Sequence, residues 1–327
     1  MTRARITGVG AYAPKRVLTN ADLEKMIATS DEWIVQRTGI RERRIADETE
    51  ATSDLAIKAA QQALERANLV PEDIEFIVVG TTTPDMVFPS VGNIVQHRLG
   101  CRRAGSVDMM AACAGSVYAM VTGAQFIQTG KYRRVLCIGA ETLSKITDFT
   151  DRGTCIILAD AAGAAVLEAT EEEDRGIIDV DLYSDGQYWE LLYMPGGGSR
   201  HPATAETVAK RMHYAKMKGN EVFKVAVRMF AECAEKILSR NGFTAADVSL
   251  FIPHQANLRI IEAASKRVNM PMDRVFVNVD RYGNTGAASI YVALEEALAA
   301  GRIKRGDLVL TAAFGGGFAW GAVLMRW

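Results

Sequence analysis

Apolar positions along the chain fall into two alternating patterns. Short runs such as Ile74-Glu75-Phe76-Ile77-Val78-Val79-Gly80 and Arg134 to Gly139 are apolar almost throughout, as strands covered on both faces of a sheet are. Between them lie longer stretches with helical spacing: Asn20 to Ala28, opened by Asn20 as cap, then Ser53 to Asn68, Asn93 to Leu99, Val117 to Ile127 and Asn257 to Val268. Ile6 to Ala11 and Val107 to Met110 read as further strands, and Ile156 to Glu168 closes the first set. Helices alternating with buried strands predict an α/β protein built on mostly parallel sheets.

The pattern repeats. Ala60, Leu64 and Asp73-Ile74-Glu75-Phe76-Ile77 match Ala234, Leu238 and Asp247-Val248-Ser249-Leu250-Phe251, each pair 174 residues apart. The same spacing sets Val135-Leu136-Cys137-Ile138 on Val309-Leu310-Thr311-Ala312 and the helix after Cys113 on the helix after Ala287. Three elements in one register predict a duplicated α/β half, with residues 1–172 as one copy and 173–327 as the other. At 327 residues the chain is long enough for two such halves.

Composition narrows the classes. A net charge of −1 argues against a general nucleic-acid surface, and no apolar run is long enough to span a bilayer. The first residues lack the apolar core of a signal peptide, so the expected location is cytoplasmic. Five widely spaced cysteines without a C-x-x-C pair suit free thiols, and the four histidines show no metal-ligand spacing. Gly8-Val9-Gly10 lacks the third glycine of a dinucleotide fingerprint, and there is no phosphate-binding loop of the G-x-x-x-x-G-K type.

Candidate chemistry centres on Met110-Ala111-Ala112-Cys113-Ala114-Gly115-Ser116. A cysteine among small residues at the mouth of a helix has the setting of a nucleophile, where unpaired N–H groups favour a thiolate. The same residue also fits a buried helix in which the thiol is only a small hydrophobe. Under the repeat, Gly80 corresponds to His254, Met110 to Asn284 and Cys113 to Ala287. Cys113, His254 and Asn284 therefore converge if the halves meet about a pseudo-twofold axis, with the ligand at the strand ends. Alone, His254 also suits a structural role and Asn284 a turn. Trp33, with Arg37 and Arg41 nearby, is either an aromatic platform for a phosphate-bearing ligand or a solvated charged face.

Taken together, Thr29 to Ile40, Ala111-Ala112-Cys113-Ala114-Gly115, Thr150-Asp151-Arg152-Gly153, Gly219 to Val225, His254-Gln255-Ala256-Asn257-Leu258-Arg259, Gly283-Asn284-Thr285 and Phe314-Gly315-Gly316-Gly317-Phe318-Ala319-Trp320-Gly321 resemble the thiolase superfamily, specifically its β-ketoacyl-acyl-carrier-protein synthase III family. The resemblance runs nearly end to end. It implies a thiolase-like fold layered αβαβα, a homodimer, coenzyme A thioesters as substrates rather than a resident cofactor, and malonyl-acyl carrier protein as second substrate.

Residue by residue, the resemblance implies Cys113 as the acylated nucleophile, and His254 and Asn284 as the groups serving decarboxylation and condensation. It places the oxyanion hole at the N–H groups of Cys113 and Gly316, and coenzyme A contacts at Trp33, Arg37, Arg152 and Asn257. The resemblance also implies that Phe88 shapes the acyl pocket. A basic surface of Lys224, Arg259, Lys266 and Arg267 would receive the acidic carrier protein, although such a face is also ordinary solvated surface. Some positions depart from the family: Gly286 replaces serine or alanine, Ser116 replaces an aromatic residue, Ala159-Asp160-Ala161 replaces a glycine-rich turn, and Tyr188 to Lys218 is longer.

Three neighbouring activities compete with this expectation. A thiolase needs a second cysteine near the C-terminal glycines, where this chain has Thr311-Ala312-Ala313-Phe314. A condensing enzyme of specialised metabolism would differ in primer. A Cys-His-Asn hydrolase would differ in admitting water.

Overall fold

A computed structural model describes residues 2–327. One sheet has five strands in the order Arg3–Tyr12, Asp160–Thr170, Arg134–Thr142, Phe76–Gly80 and Gly105–Met109. The other has four, in the order Gly176–Ser184, Ala319–Arg326, Leu308–Gly315 and Leu250–Pro253. Matched strand for strand, the second sheet repeats the first without its last strand. Where that strand would lie, Val275 makes a single parallel bridge to Phe251 and the chain then turns through the short helix Val279–Tyr282. The sheets are mixed rather than mostly parallel as expected: Phe76–Gly80 runs parallel to both its neighbours and Leu250–Pro253 parallel to Leu308–Gly315, while the pairs made by Arg3–Tyr12, Asp160–Thr170, Gly176–Ser184 and Ala319–Arg326 are antiparallel.

The layers are helix, sheet, helix, sheet, helix. The outer layer on the first sheet is formed by Thr52–Ala67 and Val91–Leu99, whose Leu55, Ala59, Ala63 and Val95 close a core with Ile77, Val79 and Leu136. The outer layer on the second is formed by Gly219–Arg240 and Leu258–Arg267, which bury Phe230, Ile237 and Ile261 against Phe251 and Leu310. Between the sheets lie Gly115–Gln128 and Ser289–Ala299. Their side chains Val117, Met120, Ile290, Tyr291 and Leu294 pack with strand residues of both halves into one core. A helix covered on two sides must be apolar around most of its circumference, and both are. Their N-termini face one another, so any chemistry carried there is shared between the halves.

The first helix differs from the sequence expectation. It spans only Asn20–Glu24, and the cap is Thr19, whose side chain bonds the Asp22 N–H while Asp22 bonds back. Asn20 is buried instead, accepting from the fully buried Arg43 guanidinium and donating to the Ile40 carbonyl. Thr19 and Asp22 form a reciprocal box that Asn20 has no partner to match. The second helix, Asp31–Thr38, is capped by Ser30 and ends at Gly39 in the left-handed conformation. Among the described residues no helix is long and apolar enough to cross a membrane.

Candidate active site

Cys113 sits on a single tight turn, Ala112–Ala114, which leads directly into the central helix Gly115–Gln128. Ala112 holds a positive φ of 46°, an uncommon backbone for a residue with a Cβ. Behind the turn runs the end of strand Leu308–Gly315. A Cβ on Gly315 would lie 2.5 Å from the Cys113 nitrogen and 2.9 Å from the Ala111 carbonyl. Only a residue without a side chain lets the two halves touch here.

Asn284 reaches the same point from the matching turn of the rear half. Its backbone is pinned by the Asn284 N–H to Ile157 and by the Ala159 N–H to Asn284, each at 2.9 Å. The side-chain oxygen accepts from the Gly286 N–H at 2.9 Å, and the Asn284 side chain lines the same cavity as Cys113, with its amide NH2 bonded to none of the described residues. Gly286, the departure from the family pattern, has a φ of 54°, and a Cβ there would lie 2.8 Å from Glu141.

His254 follows strand Leu250–Pro253 and is almost completely buried, stacked edge-on against Phe314 at 5.5 Å. Nδ1 lies 2.6 Å from the Ser289 hydroxyl, while Nε2 is buried with no partner among the described residues. Burial holds its pKa down at about 3, so the ring is neutral. Cys113, His254 and Asn284 line one cavity of about 540 Å3, together with Phe314 and Gly315.

The electrostatics reverse one expectation. Burial, followed by the Glu141 carboxylate, pushes the Cys113 thiol up to about 12, against the Asn284 amide and its own N–H. The helix mouth does not produce a resting thiolate, because desolvation of the sulfur outweighs it. Glu141 is buried behind the turn, accepting from the Thr82 N–H and hydroxyl and from the Thr83 hydroxyl at 2.6 Å. Burial raises it to about 7 despite these donors and the Ala287 N–H.

The outer end of the cavity carries Trp33, Arg37, Arg152, Asn257, Lys224 and Arg259. Arg37 and Arg152 flank the Trp33 ring, their guanidinium carbons 4.7 and 4.4 Å from its centre. Asn257 caps helix Leu258–Arg267 and donates to the Arg37 carbonyl at 3.1 Å. An apolar-walled tunnel therefore runs from a cationic, aromatic mouth to a cysteine beside two amide or imidazole donors.

A family model described as 3-oxoacyl-[acyl-carrier-protein (ACP)] synthase III matches residues 107–186, and the model of its C-terminal part matches residues 238–327. A β-ketoacyl-[acyl-carrier-protein] synthase III of Caldanaerobacter subterraneus subsp. tengcongensis is 52% identical over 99% of this chain and 98% of its own length. The chain belongs to the β-ketoacyl-[acyl-carrier-protein] synthase III family. Among solved structures, the Aquifex aeolicus 3-oxoacyl-[acyl-carrier-protein] synthase III is 46% identical with a TM-score of 0.92, covering 99% of this chain and 100% of that one. The Thermus thermophilus synthase III is 44% identical with a TM-score of 0.91, covering 99% of each chain. The thiolase-like α/β fold expected from the sequence is that of this family.

Against the synthase III expectations, the structure separates some residues. Phe88 is 82% exposed and lies off the wall of the Cys113 cavity. Its loop is held at the base by Thr82 and Thr83 on Glu141 and by Ser53 on Asp85, which leaves the tip outside. Lys266 and Arg267 lie in the last turn of their helix, away from the mouth where Lys224 and Arg259 sit. Arg267 approaches Glu232 at 3.6 Å. Gly315 is the glycine packed against Cys113, and a Cβ on Gly316 would meet the Leu192 carbonyl instead.

Sequence reasoning missed Gly315, Glu141, Ser289 and the wall residues Leu192 and Met217. Leu192 and Met217 come from the ends of the long segment Tyr188 to Lys218, drawn together by pairing of Leu192–Tyr193 with Lys216–Met217. Its middle is tied back by Arg211 to Asp148. Ser289 had a sequence signal as the repeat partner of Gly115, Gly315 stood unremarked within the glycine motif, and Leu192 and Met217 lay in the segment noted as long, whereas Glu141 had none.

Proposed function

We propose that the protein is an acyltransferase that condenses an acyl-CoA primer with malonyl-acyl carrier protein, releasing CO2 and CoA and giving a β-ketoacyl-acyl carrier protein. The single observation that carries this is the meeting of Cys113, the Asn284 amide and His254, whose Nε2 is unpartnered, on one cavity. In the first step Cys113 Sγ attacks the thioester carbonyl, the C–S bond to CoA breaks, and the thiol proton leaves with CoA. The Cys113 N–H and the Gly316 N–H receive the oxyanion in this reading.

In the second step the malonyl C–C bond breaks and its electron pair forms an enolate on the thioester oxygen. His254, with its proton on Nε2, and the Asn284 amide donate to that oxygen. The enolate carbon then attacks the acyl-Cys113 carbonyl, the C–S bond breaks, and the cysteine sulfur takes a proton from solvent. Side chains and backbone N–H groups supply all of this, with the CoA thioester as substrate and no resident cofactor. Trp33, Arg37, Arg152 and Asn257 hold the nucleotide end, since guanidiniums and an indole match phosphates and a purine.

Mass spectrometry of products from acyl-CoA, malonyl-acyl carrier protein and the enzyme tests the reading. A β-ketoacyl carrier protein is expected, and free acid in its place would make the enzyme a hydrolase. The five free cysteines suit action in the reducing cytoplasm.

The homodimer belongs to the same proposal. Strand Gly105–Met109 is an uncovered sheet edge beside the exposed Met86, Val87, Phe88 and Met110. Next to it a cavity of about 660 Å3 is lined by Val107, Met109, Met110, Phe126 and Phe318. Two copies joined edge to edge across a twofold cover this face, and Phe88 of one copy then closes the acyl pocket of the other. Sedimentation should give a dimer at micromolar concentration, and a monomer would remove this assignment of Phe88.

Carrier-protein docking falls to Lys224 and Arg259 at the mouth, with Lys266 and Arg267 extending the basic face. Reversing Lys266 and Arg267 to glutamate is expected to raise the KM for malonyl-acyl carrier protein severalfold and leave that for acyl-CoA unchanged. An unchanged carrier KM would confine docking to Lys224 and Arg259.

A further inference from the structure

We propose that Ser289 is a positioning residue that fixes the tautomer of His254, its hydroxyl donating to Nδ1 so that the ring proton sits on Nε2, facing Cys113. The argument begins with the hydroxyl. Ser289 is almost completely buried, and its oxygen has two neighbours, the Gln255 N–H at 3.3 Å and His254 Nδ1 at 2.6 Å. The backbone N–H can only donate, so it occupies a lone pair of the hydroxyl oxygen. The hydroxyl proton has then one acceptor within reach, Nδ1. An imidazole that accepts at Nδ1 and is neutral carries its proton on Nε2. Nε2 is the atom left without a partner, in the wall of the cavity that Cys113 lines.

The duplication has a counterpart of this contact. Gly80 and Gly115 are the repeat partners of His254 and Ser289, each 174 residues earlier. In the front half the glycines touch through backbone, and a Cβ on Gly80 would lie 2.4 Å from Gly115. The rear half has the same two positions in contact, now through a hydrogen bond between side chains. Close packing in one copy sets the nucleophile against the sheet. In the other copy the same junction holds a histidine at a fixed tautomer and orientation.

The kinetic consequence rests on the condensation reading, whereas the tautomer itself does not. In full-length protein labelled with 15N at its histidines, long-range proton–nitrogen spectra at pH 7 are expected to show His254 protonated at Nε2. Ser289→Ala should admit the Nδ1–H form and lower kcat for condensation by at least about tenfold, with the KM for acyl-CoA and the acylation of Cys113 within about twofold. Ser289→Thr, which keeps the hydroxyl, should restore the native spectrum. A native ring protonated at Nδ1 overturns the proposal, whatever product the enzyme makes. So does a Ser289→Ala protein with an unchanged spectrum, or one that loses acylation and condensation equally. Should Ser289→Ala fail to fold, the native and Ser289→Thr spectra decide the tautomer alone.

Discussion

Replacing His254 by alanine is expected to lower condensation by about two to three orders of magnitude while acyl transfer from CoA to Cys113 continues. The loss of one donor aimed at a developing oxyanion costs about 3 to 4 kcal/mol in the transition state. His254 lines the cavity, its Nε2 has no partner and its ring is held neutral, so in the proposed condensation it acts on the enolate as a hydrogen-bond donor and not as a cation. Asn284→Asp should act alike, because a carboxylate in place of the amide repels the same charge. Radiolabelled primer retained on the protein, measured apart from product formation, checks the division between the steps. Equal loss of both steps would show that His254 also serves acylation.

The same residue gives a stability signature. Its folded pKa of about 3 lies below the unfolded value of about 6.5, so the unfolded chain binds a proton first as pH falls. The neutral ring costs nothing above pH 6.5, and its share of stability is lost progressively as pH drops from there toward 3. Chemical denaturation of His254→Ala between pH 7 and 4 should therefore show a flatter decline than the native protein.

Gly315→Ala is expected to destroy both steps and to destabilise the fold. The added carbon would stand 2.5 Å from the Cys113 nitrogen and 2.9 Å from the Ala112 Cβ. Two backbones, one from each half, would have to separate, and overpacking of this kind costs about 1 to 3 kcal/mol. The nucleophile turn would move with them. Displacement of a reacting group by an ångström lowers rates by about a hundredfold. Thermal denaturation and labelling of Cys113 by acyl-CoA measure the two effects, and a variant that is acylated at the native rate would show that the turn yields without moving the sulfur. Unlike His254→Ala, this substitution should not separate acylation from condensation.

Much of the architecture was written locally. The central helices announce themselves by being apolar all round, and the strand runs around Val78 and Ile138 by lacking polar alternation. The repeat was legible because both halves keep one register through those elements. It also pointed to Cys113, His254 and Asn284 before any fold was drawn, since all three stand at corresponding strand ends or turns. The cap of the first helix was misplaced, because Thr19 and Asn20 are both good caps and only the Asp22 side chain and the buried Arg43 distinguish them.

The linear chain by itself determined the elements, their duplication and the candidates for the reacting groups, since these depend on spacing and residue type within a short span. Tertiary structure alone decided their electrical state and exact company. Burial raised the thiol that the helix mouth was expected to lower, Glu141 came up behind it from another strand, and Ser289 met His254 across the sheet. It also placed Phe88 outside its own pocket and Gly315 inside the nucleophile turn. Such facts follow from contacts between distant segments and from the exclusion of water, and neither is encoded in the neighbours of any one residue.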